Sequence, residues 1–226
     1  MNRSLLVFAC SALALLATGD ASAGLPTLSG DLEMLSLTDV TEGANEDNDV
    51  ARVFLEQEHF EYDPNGDPPT VVDFDSPGNY EIVDDLPLVK PTLPAGFYDI
   101  YFIHFDPFDD FVGLPSVDGT LNFGKQRIVA VSAVGSTLDS NEAAGLMDPM
   151  VMYPTPGDGG RGLEFDSDFV ILASDRHSLR VGLQAVAAGY DQLRVFVVPE
   201  PSTLILGAMG VVGLIVPIIR RTRRIT

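Results

Sequence analysis

The sequence predicts an all-β fold, an antiparallel β-sandwich of jelly-roll type, between two terminal apolar segments. Three observations support this prediction. The middle of the chain consists of short apolar segments separated by Pro, Gly, Asn and Asp, and it contains no long helical period. About nine segments have strand character, which is typical of a sandwich. The best of them is apolar on both faces, as expected of a central strand.

That central strand is Tyr98–Phe105, in which Tyr98, Ile100 and Phe102 share one face while Tyr101 and Ile103 share the other. Further strands are predicted from β-branched and aromatic residues bounded by turn residues. They are Met34–Leu37, Val53–Tyr62, Val71–Phe74, Thr120–Phe123, Arg127–Val134, Phe169–Ala173, Leu179–Val186 and Leu193–Val197.

The connections contain one predicted helix, Asn141–Met147, with Ser140 as its N-cap and Glu142 in its first turn. Residues 174–177, Ser-Asp-Arg-His, are predicted to turn between two strands of a hairpin. Three stretches are typical of loops: the acidic stretch 40–49, and the Pro- and Gly-rich stretches 64–69 and 154–162.

The charge of the middle segment limits its partners. Residues 24–199 hold 31 acidic and 8 basic residues, a net charge of −23. Such a surface repels phosphate backbones, so nucleic-acid binding is not expected. Two interpretations stay open: solubility alone, or the collection of divalent cations. The only cysteine is Cys10, so residues 24–199 can form no disulfide or thiolate site.

Residues 1–23 have the three parts of a secretory signal peptide. These parts are the positive start Asn2-Arg3, the apolar run Leu5–Leu16, and the small-residue cleavage site Ala21-Ser22-Ala23. A helix of this run would span about 18 Å, too short for a bilayer core of about 30 Å. We expect signal peptidase to leave Gly24 as the new N-terminus.

Residues 199–226 have a second three-part layout. In order, it contains Pro199-Glu200-Pro201, the apolar run Leu204–Ile219 as a membrane helix, and the basic cluster of Arg220, Arg221, Arg223 and Arg224. The prolines favour an extended segment before the membrane. The arginines should stay cytoplasmic by the positive-inside rule. The predicted domains are therefore 1–23, 24–198 and 199–226.

This tail resembles the PEP-CTERM sorting signal, the tail of exosortase substrates in Gram-negative bacteria, in both the tripeptide and the order of its parts. The resemblance implies recognition by an exosortase, removal of the tail, and an organism with extracellular polysaccharide or a structured envelope. It implies that the protein is exported, held transiently in the inner membrane, and delivered to the cell surface or extracellular matrix. An ordinary single-pass anchor is the alternative.

The stretch from Phe102 to Leu193 also looks like planctomycete-type PEP-CTERM proteins. The similar pieces are Ile103-His104-Phe105-Asp106-Pro107, Tyr153-Pro154, Arg161-Gly162-Leu163-Glu164 and Asp191-Gln192-Leu193-Arg194. This similarity implies an exported location and a high sheet content, and it implies no particular activity.

No common catalytic motif is present. The three histidines, His59, His104 and His177, lie far apart and form no His-Glu-x-x-His pair. His104 lies between apolar strand neighbours, so a buried structural histidine is expected. The sequence contains neither a Gly-x-Ser-x-Gly elbow nor a phosphate-binding glycine loop.

Clustered carboxylates are the candidate metal ligands, because calcium takes six to eight oxygen ligands. The candidate calcium ligands are Asp63, Asn65 and Asp67 in one loop, Asp106, Asp109 and Asp110 after the central strand, and Asp166 and Asp168. The first loop is not an EF-hand, because Pro68 and Phe74 occupy the glycine and closing glutamate positions. A solvated acidic surface is the alternative for all three.

The expected function is that of an exported surface or matrix protein with a non-catalytic binding or structural domain. Calcium assistance and extracellular polysaccharide as a partner are part of this expectation. The alternative is a secreted carbohydrate-active hydrolase that uses paired carboxylates. The chain has no tryptophan to stack on a sugar ring, so its six tyrosines would have to replace it.

Overall fold

Two five-stranded sheets form the fold. A computed structural model describes residues 24–199, apart from 37–38, 44, 82, 109–112, 158–160, 165–166 and 185–188. The predicted signal peptide and membrane helix lie outside the described residues. Within that part of the chain, no helix is long and apolar enough to cross a membrane.

The first sheet is antiparallel throughout, and its strands lie in the order β1-β6-β9-β8-β4. Its strands are β1 (Thr27–Gly30), β4 (Gly78–Tyr80), β6 (Ser116–Asn122), β8 (Phe169–Leu172) and β9 (Ser178–Gln184). The predicted turn at 174–177 joins β8 to β9 and is confirmed. Arg176 adopts a positive φ of 61° in this turn, a conformation that a tight strand connection requires.

The second sheet is mixed, with the order β2-β3-β5-β10-β7. Its strands are β2 (Leu32–Met34), β3 (Ala51–Tyr62), β5 (Gly96–Phe105), β7 (Gln126–Ser132) and β10 (Asp191–Pro199). The short edge strand β2 pairs in parallel with β3, whereas the other pairs are antiparallel. The predicted all-β class is therefore confirmed, a purely antiparallel sandwich is wrong, and jelly-roll connectivity stays a prediction.

The main core lies between the two sheets. It joins side chains of the first sheet, such as Leu121 and Val181, to side chains of the second, such as Ile103 and Val195, all of them fully buried. The central strand β5 is buried on both faces, as its sequence predicts. Its Tyr101 and its neighbours at every second position face this core, while the alternate residues face outward from the second sheet.

The connections between strands cover the outer face of the second sheet. The helix α1 (Gly135–Ala143) contributes Leu138, which packs with Phe54 and Phe102 of the sheet. The predicted helix Asn141–Met147 begins six residues too late. Ser140 is not its cap, because its hydroxyl donates to the carbonyl of Ser136 one turn earlier. Burial against the sheet, and not an N-terminal cap, sets the position of this helix.

Other differences from the predicted elements have similar local causes. The segment 71–74 forms only single bridges, with Thr92 and Val131, because its backbone divides its hydrogen bonds between two different partners. The strands β1 and β4 are absent from the predicted set, since each is short and most of its residues are polar or glycine. His104 is a fully buried core histidine beside Gln192, as expected.

A buried ion pair crosses the outer face of the second sheet. The guanidinium of Arg194, on β10, donates from Nε and Nη2 to the two carboxylate oxygens of Glu56, on β3, at 2.6 and 2.7 Å. Arg194 is fully buried and Glu56 is 3% exposed. The guanidinium also lies over the ring of Phe102, 5.1 Å from its centroid. Tyr153 completes the pair by donating its hydroxyl to Glu56.

We expect Arg194→Met to destabilise the fold by about 3–5 kcal/mol, because Glu56 would then be a buried carboxylate without its cation. The double variant Arg194→Met with Glu56→Gln should recover most of this loss, since no charge is left uncompensated. Urea unfolding followed by tyrosine fluorescence measures both effects. A double variant as unstable as the single one would contradict this explanation.

Candidate metal centre

The first residue of β10 places an acid inside the sandwich. Side chains on a strand alternate between its faces, and Leu193 and Val195 point into the core between the sheets. Asp191 shares that face and is fully buried. Its partner on β5 is Phe105, another residue of the same core. The acid therefore lies at one end of the space between the two sheets.

A second acid reaches the same place from the opposite sheet. Asp168 lies just before β8, two residues ahead of the core residue Val170, and is 2% exposed. Its Oδ1 accepts the backbone N–H of Gln184 at 2.7 Å, and its Oδ2 accepts that of Glu164 at 2.6 Å. The carbonyl of Glu164 in turn accepts the N–H of Asp168. These bonds fix the Asp168 carboxylate in one orientation.

Glu164 brings the third carboxylate to the group. One oxygen each of Glu164, Asp168 and Asp191 lies within 4.8 Å of the others. Among the described residues, neither carboxyl oxygen of Asp191 has a hydrogen-bond partner outside this group of acids. Three acids therefore converge at a place where the innermost one meets other carboxylates and no donor.

The burial of Asp168 and Asp191 close to other carboxylates favours the neutral forms of these two acids. Burial, opposed by the backbone N–H groups of Gln184 and Glu164, raises the pKa of Asp168 to about 7. Burial, and then the charges of Asp168 and Glu164, raise the pKa of Asp191 well above its ordinary value. At neutral pH, protons or a cation must therefore compensate this group.

The arrangement limits what chemistry these acids can perform. Three carboxylates form an all-oxygen ligand set, which suits a hard divalent cation. A glycosidic oxygen cannot reach Asp191, because that side chain has no exposed surface. Glu164 is exposed and provides the group's contact with solvent.

The structure distributes the other predicted calcium ligands differently. Asp63, Asn65 and Asp67 form an exposed turn that is closed by its own side chains. Asp63 Oδ1 accepts the backbone and side-chain N–H groups of Asn65, while Asp67 Oδ2 accepts the N–H of Asp63. These oxygens stabilise the turn, and among the described residues no acid from elsewhere in the chain joins them in a three-acid group.

Of the remaining predicted ligands, only Asp106 and Asp168 are among the described residues. Asp106 is buried, with its Oδ2 3.8 Å from Nε2 of His104, and it is not a member of the three-acid group. Asp109, Asp110 and Asp166 lie outside the described residues. The structure therefore retains Asp168 from the predicted set and gives it two partners that were not predicted, Glu164 and Asp191.

The sequence contained a weak signal for those partners. An acid at the start of an otherwise apolar strand, as in Asp191-Gln192-Leu193, breaks the hydrophobic pattern on the buried face. That signal identifies Asp191 but not the two acids that lie beside it. Asp191 follows Asp168 by 23 residues, and the approach of their carboxylates depends on how the two sheets stack.

We expect a pH dependence of stability from the raised pKa values. An acid whose pKa is higher in the folded state stabilises the fold below the ordinary pKa of Asp, 3.8, and loses this effect as pH rises through about 7. In EDTA, the melting temperature should therefore fall between pH 4 and pH 7. Asp191→Asn should show a smaller fall, which separates this group from the remaining acids of the surface.

Equal slopes for the wild type and Asp191→Asn across this pH range would show that the buried acids ionise as easily in the folded chain as in the unfolded one. The temperature of unfolding, followed by circular dichroism, is the measurement. Asp63→Asn is the matched control, because its carboxylate lies in an exposed turn.

The predicted sorting motif begins where the sandwich ends. Pro199 is the last residue of β10 and pairs with Gln126 of β7, so the first proline of the motif belongs to a strand. The other predicted sorting, cleavage and topology residues lie outside the described part, except for the exposed Gly24. They are Glu200, Pro201, Ala21, Ala23, Arg220, Arg221, Arg223 and Arg224.

Comparison with known proteins gives one match. The family model described as the PEP-CTERM protein-sorting motif matches residues 197–224. No curated protein and no solved structure matches the chain. The match covers the tail alone and implies exosortase processing, export, and membrane-associated sorting toward the cell surface. The chain thus carries a PEP-CTERM protein-sorting motif that overlaps the last three residues of strand β10.

Proposed function

We propose that this protein is a structural component of the cell surface or extracellular matrix, delivered there by an exosortase after removal of its signal peptide. The single observation that carries the proposal is the PEP-CTERM motif at residues 197–224. In this proposal the apolar helix is a temporary membrane anchor, and residues 24–199 are the mature domain.

The domain's role in this proposal is non-catalytic. In the group of three converging carboxylates, Asp168 and Asp191 are too buried to attack a polysaccharide, which leaves the exposed Glu164 without an accessible carboxylate partner in that group. A retaining or inverting glycosidase needs two carboxyl groups that flank a bound sugar. This observation supports a structural role over the hydrolase alternative.

Tyrosine-based sugar binding also has little support. Five of the six tyrosines are at most 6% exposed: Tyr62, Tyr80, Tyr98, Tyr101 and Tyr190. The sixth, Tyr153, is partly buried and donates its hydroxyl to Glu56. Stacking on a sugar ring requires an exposed aromatic face. A structural role is therefore the form of the proposal that the domain supports best, and polysaccharide is a partner only through other residues.

We expect Glu200→Ala with Pro201→Ala to block processing in a host that contains the matching exosortase. Pro199 is left intact, because it pairs with Gln126 of β7 and its substitution would disturb the end of the sheet. Immunoblotting of membrane and surface fractions should show an unprocessed precursor that stays in the membrane.

The matched control is Asp75→Ala with Pro77→Ala, which removes an acid and a proline from an exposed stretch of the domain. This control should be processed like the wild type. Wild-type processing of the motif variant would overturn the sorting proposal and leave an ordinary membrane anchor.

We also expect the purified protein to release no reducing sugar from the extracellular polysaccharide of its host. Release that is lost in Asp168→Asn would contradict the non-catalytic role and favour the hydrolase alternative. Chromatography of the polysaccharide before and after incubation measures chain cleavage independently of sugar release.

A further inference from the structure

We infer that Glu164, Asp168 and Asp191 form a calcium site that joins the two sheets at one end of the sandwich. This site goes beyond the proposed export and structural role. It shares Asp168 with one of the three acidic clusters that the sequence indicates, and its other two ligands belong to none of them. The inference stands on the convergence of three carboxylates and on one buried side chain that has no partner.

The unpartnered side chain is Asp191. It is fully buried, and among the described residues neither of its carboxyl oxygens has a hydrogen-bond partner outside this group of acids. A buried polar group without a partner is costly, and a buried charge more so, unless a cation or donor compensates it. Only Asp168 and Glu164 offer atoms close to it in this group, and both are acids. A cation is the partner that all three can share.

The domain has few cations of its own for this purpose. Five of its eight basic residues are already in ion pairs with other carboxylates. These are Arg52, Lys90, Arg161, Arg180 and Arg194. A metal ion supplies the missing positive charge without a basic side chain.

The geometry suits calcium. Calcium binds oxygen at about 2.3–2.6 Å, so opposite ligands lie about 5 Å apart. The three ligand oxygens lie within 4.8 Å of one another, which fits one such sphere. No histidine or cysteine belongs to this group among the described residues, so the ligand set favours a hard cation over a transition metal. Magnesium demands a stricter octahedron at shorter distances.

The shell around the ligands is ordered. Each oxygen of Asp168 accepts one backbone N–H, from Gln184 or Glu164. A carboxylate oxygen has a second lone pair, so each can still bind the ion. Such bonds orient a ligand in advance of the metal. The exposed Glu164 leaves the solvent side open, where water completes the coordination.

The site would link elements that are distant in sequence. Asp191 begins β10 in the second sheet, whereas Asp168 precedes β8 and is bonded to the end of β9 in the first. An ion held by both carboxylates binds the folded chain alone, because only the stacked sheets bring them together. By linkage, calcium therefore stabilises the fold.

The test is thermal unfolding of the full chain, purified in a mild non-ionic detergent. The conditions are EDTA, calcium, magnesium, and sodium chloride of matched ionic strength. Extracellular calcium modules bind with dissociation constants of about 10⁻⁴–10⁻³ M, so about 10 mM calcium should raise the melting temperature by roughly 3–10 °C. An equal shift in all three salts would overturn the inference, because it would reflect screening alone.

Asp191→Asn is the decisive variant, and Asp63→Asn is its matched control in an exposed acidic turn. We expect the calcium shift to persist in Asp63→Asn and to disappear in Asp191→Asn. A calcium shift that persists in Asp191→Asn, or disappears in Asp63→Asn, would overturn the inference.

Glu164→Gln provides a second variant should Asp191→Asn fail to fold. Glu164 is exposed, so Glu164→Gln should still fold in EDTA while its calcium affinity falls about tenfold or more. Calorimetric titration with calcium chloride measures that affinity. An unchanged affinity would overturn the assignment of Glu164, Asp168 and Asp191 as the site.

Discussion

The architecture depends on one buried ion pair, Arg194 with Glu56, which joins β10 to β3 across the strand β5 between them. A buried pair contributes little to stability compared with an apolar pair of the same shape, but it tolerates only one geometry. Here it fixes the register of three strands on the face where the connections pack. A second buried arginine, Arg161, extends the same network to Gln192 of β10 and to Glu142 of α1. The ion pair and the hydrogen bond of Arg161 thereby hold α1 and the loop that follows it against the sheet, in addition to apolar contacts.

The two faces of strand β10 have different electrostatic environments. On its outward face, Arg194 pairs with the carboxylate of Glu56, and the side-chain oxygen of Gln192 accepts a hydrogen bond from Arg161. Its inward residue Asp191 meets acids that it cannot neutralise. In a domain with a net charge of −23, Arg161 and Arg194 compensate the acids of the outer face, and the inner group is left with protons or a cation. The alternation of a single strand thus explains why a rigid ionic network and an unpaired carboxylate lie within four residues of each other.

Sequence patterns predicted the parts of the fold that depend on local periodicity. The alternation in Tyr98–Phe105 identified the central strand β5. The turn residues at 174–177 identified the hairpin of β8 and β9. The helix was misplaced because its position depends on burial of Leu138 and Glu142 against a sheet whose surface is not legible in sequence. The three-acid group was missed for the same reason: Asp168 was recognised by its local cluster, whereas Asp191 joins it only through the stacking of two sheets.

The overlap of the sorting motif with β10 has a mechanical consequence. A pull on the chain at residue 199 acts along the axis of β10, which lies between β5 and β7. The hydrogen bonds to both neighbours run across that axis, so a load is shared by many bonds in shear and does not open them one after another. A strand at the sheet's edge, pulled sideways, would instead unzip. A force on a domain tethered through β10 is therefore resisted together by the hydrogen bonds that β10 forms with β5 and with β7.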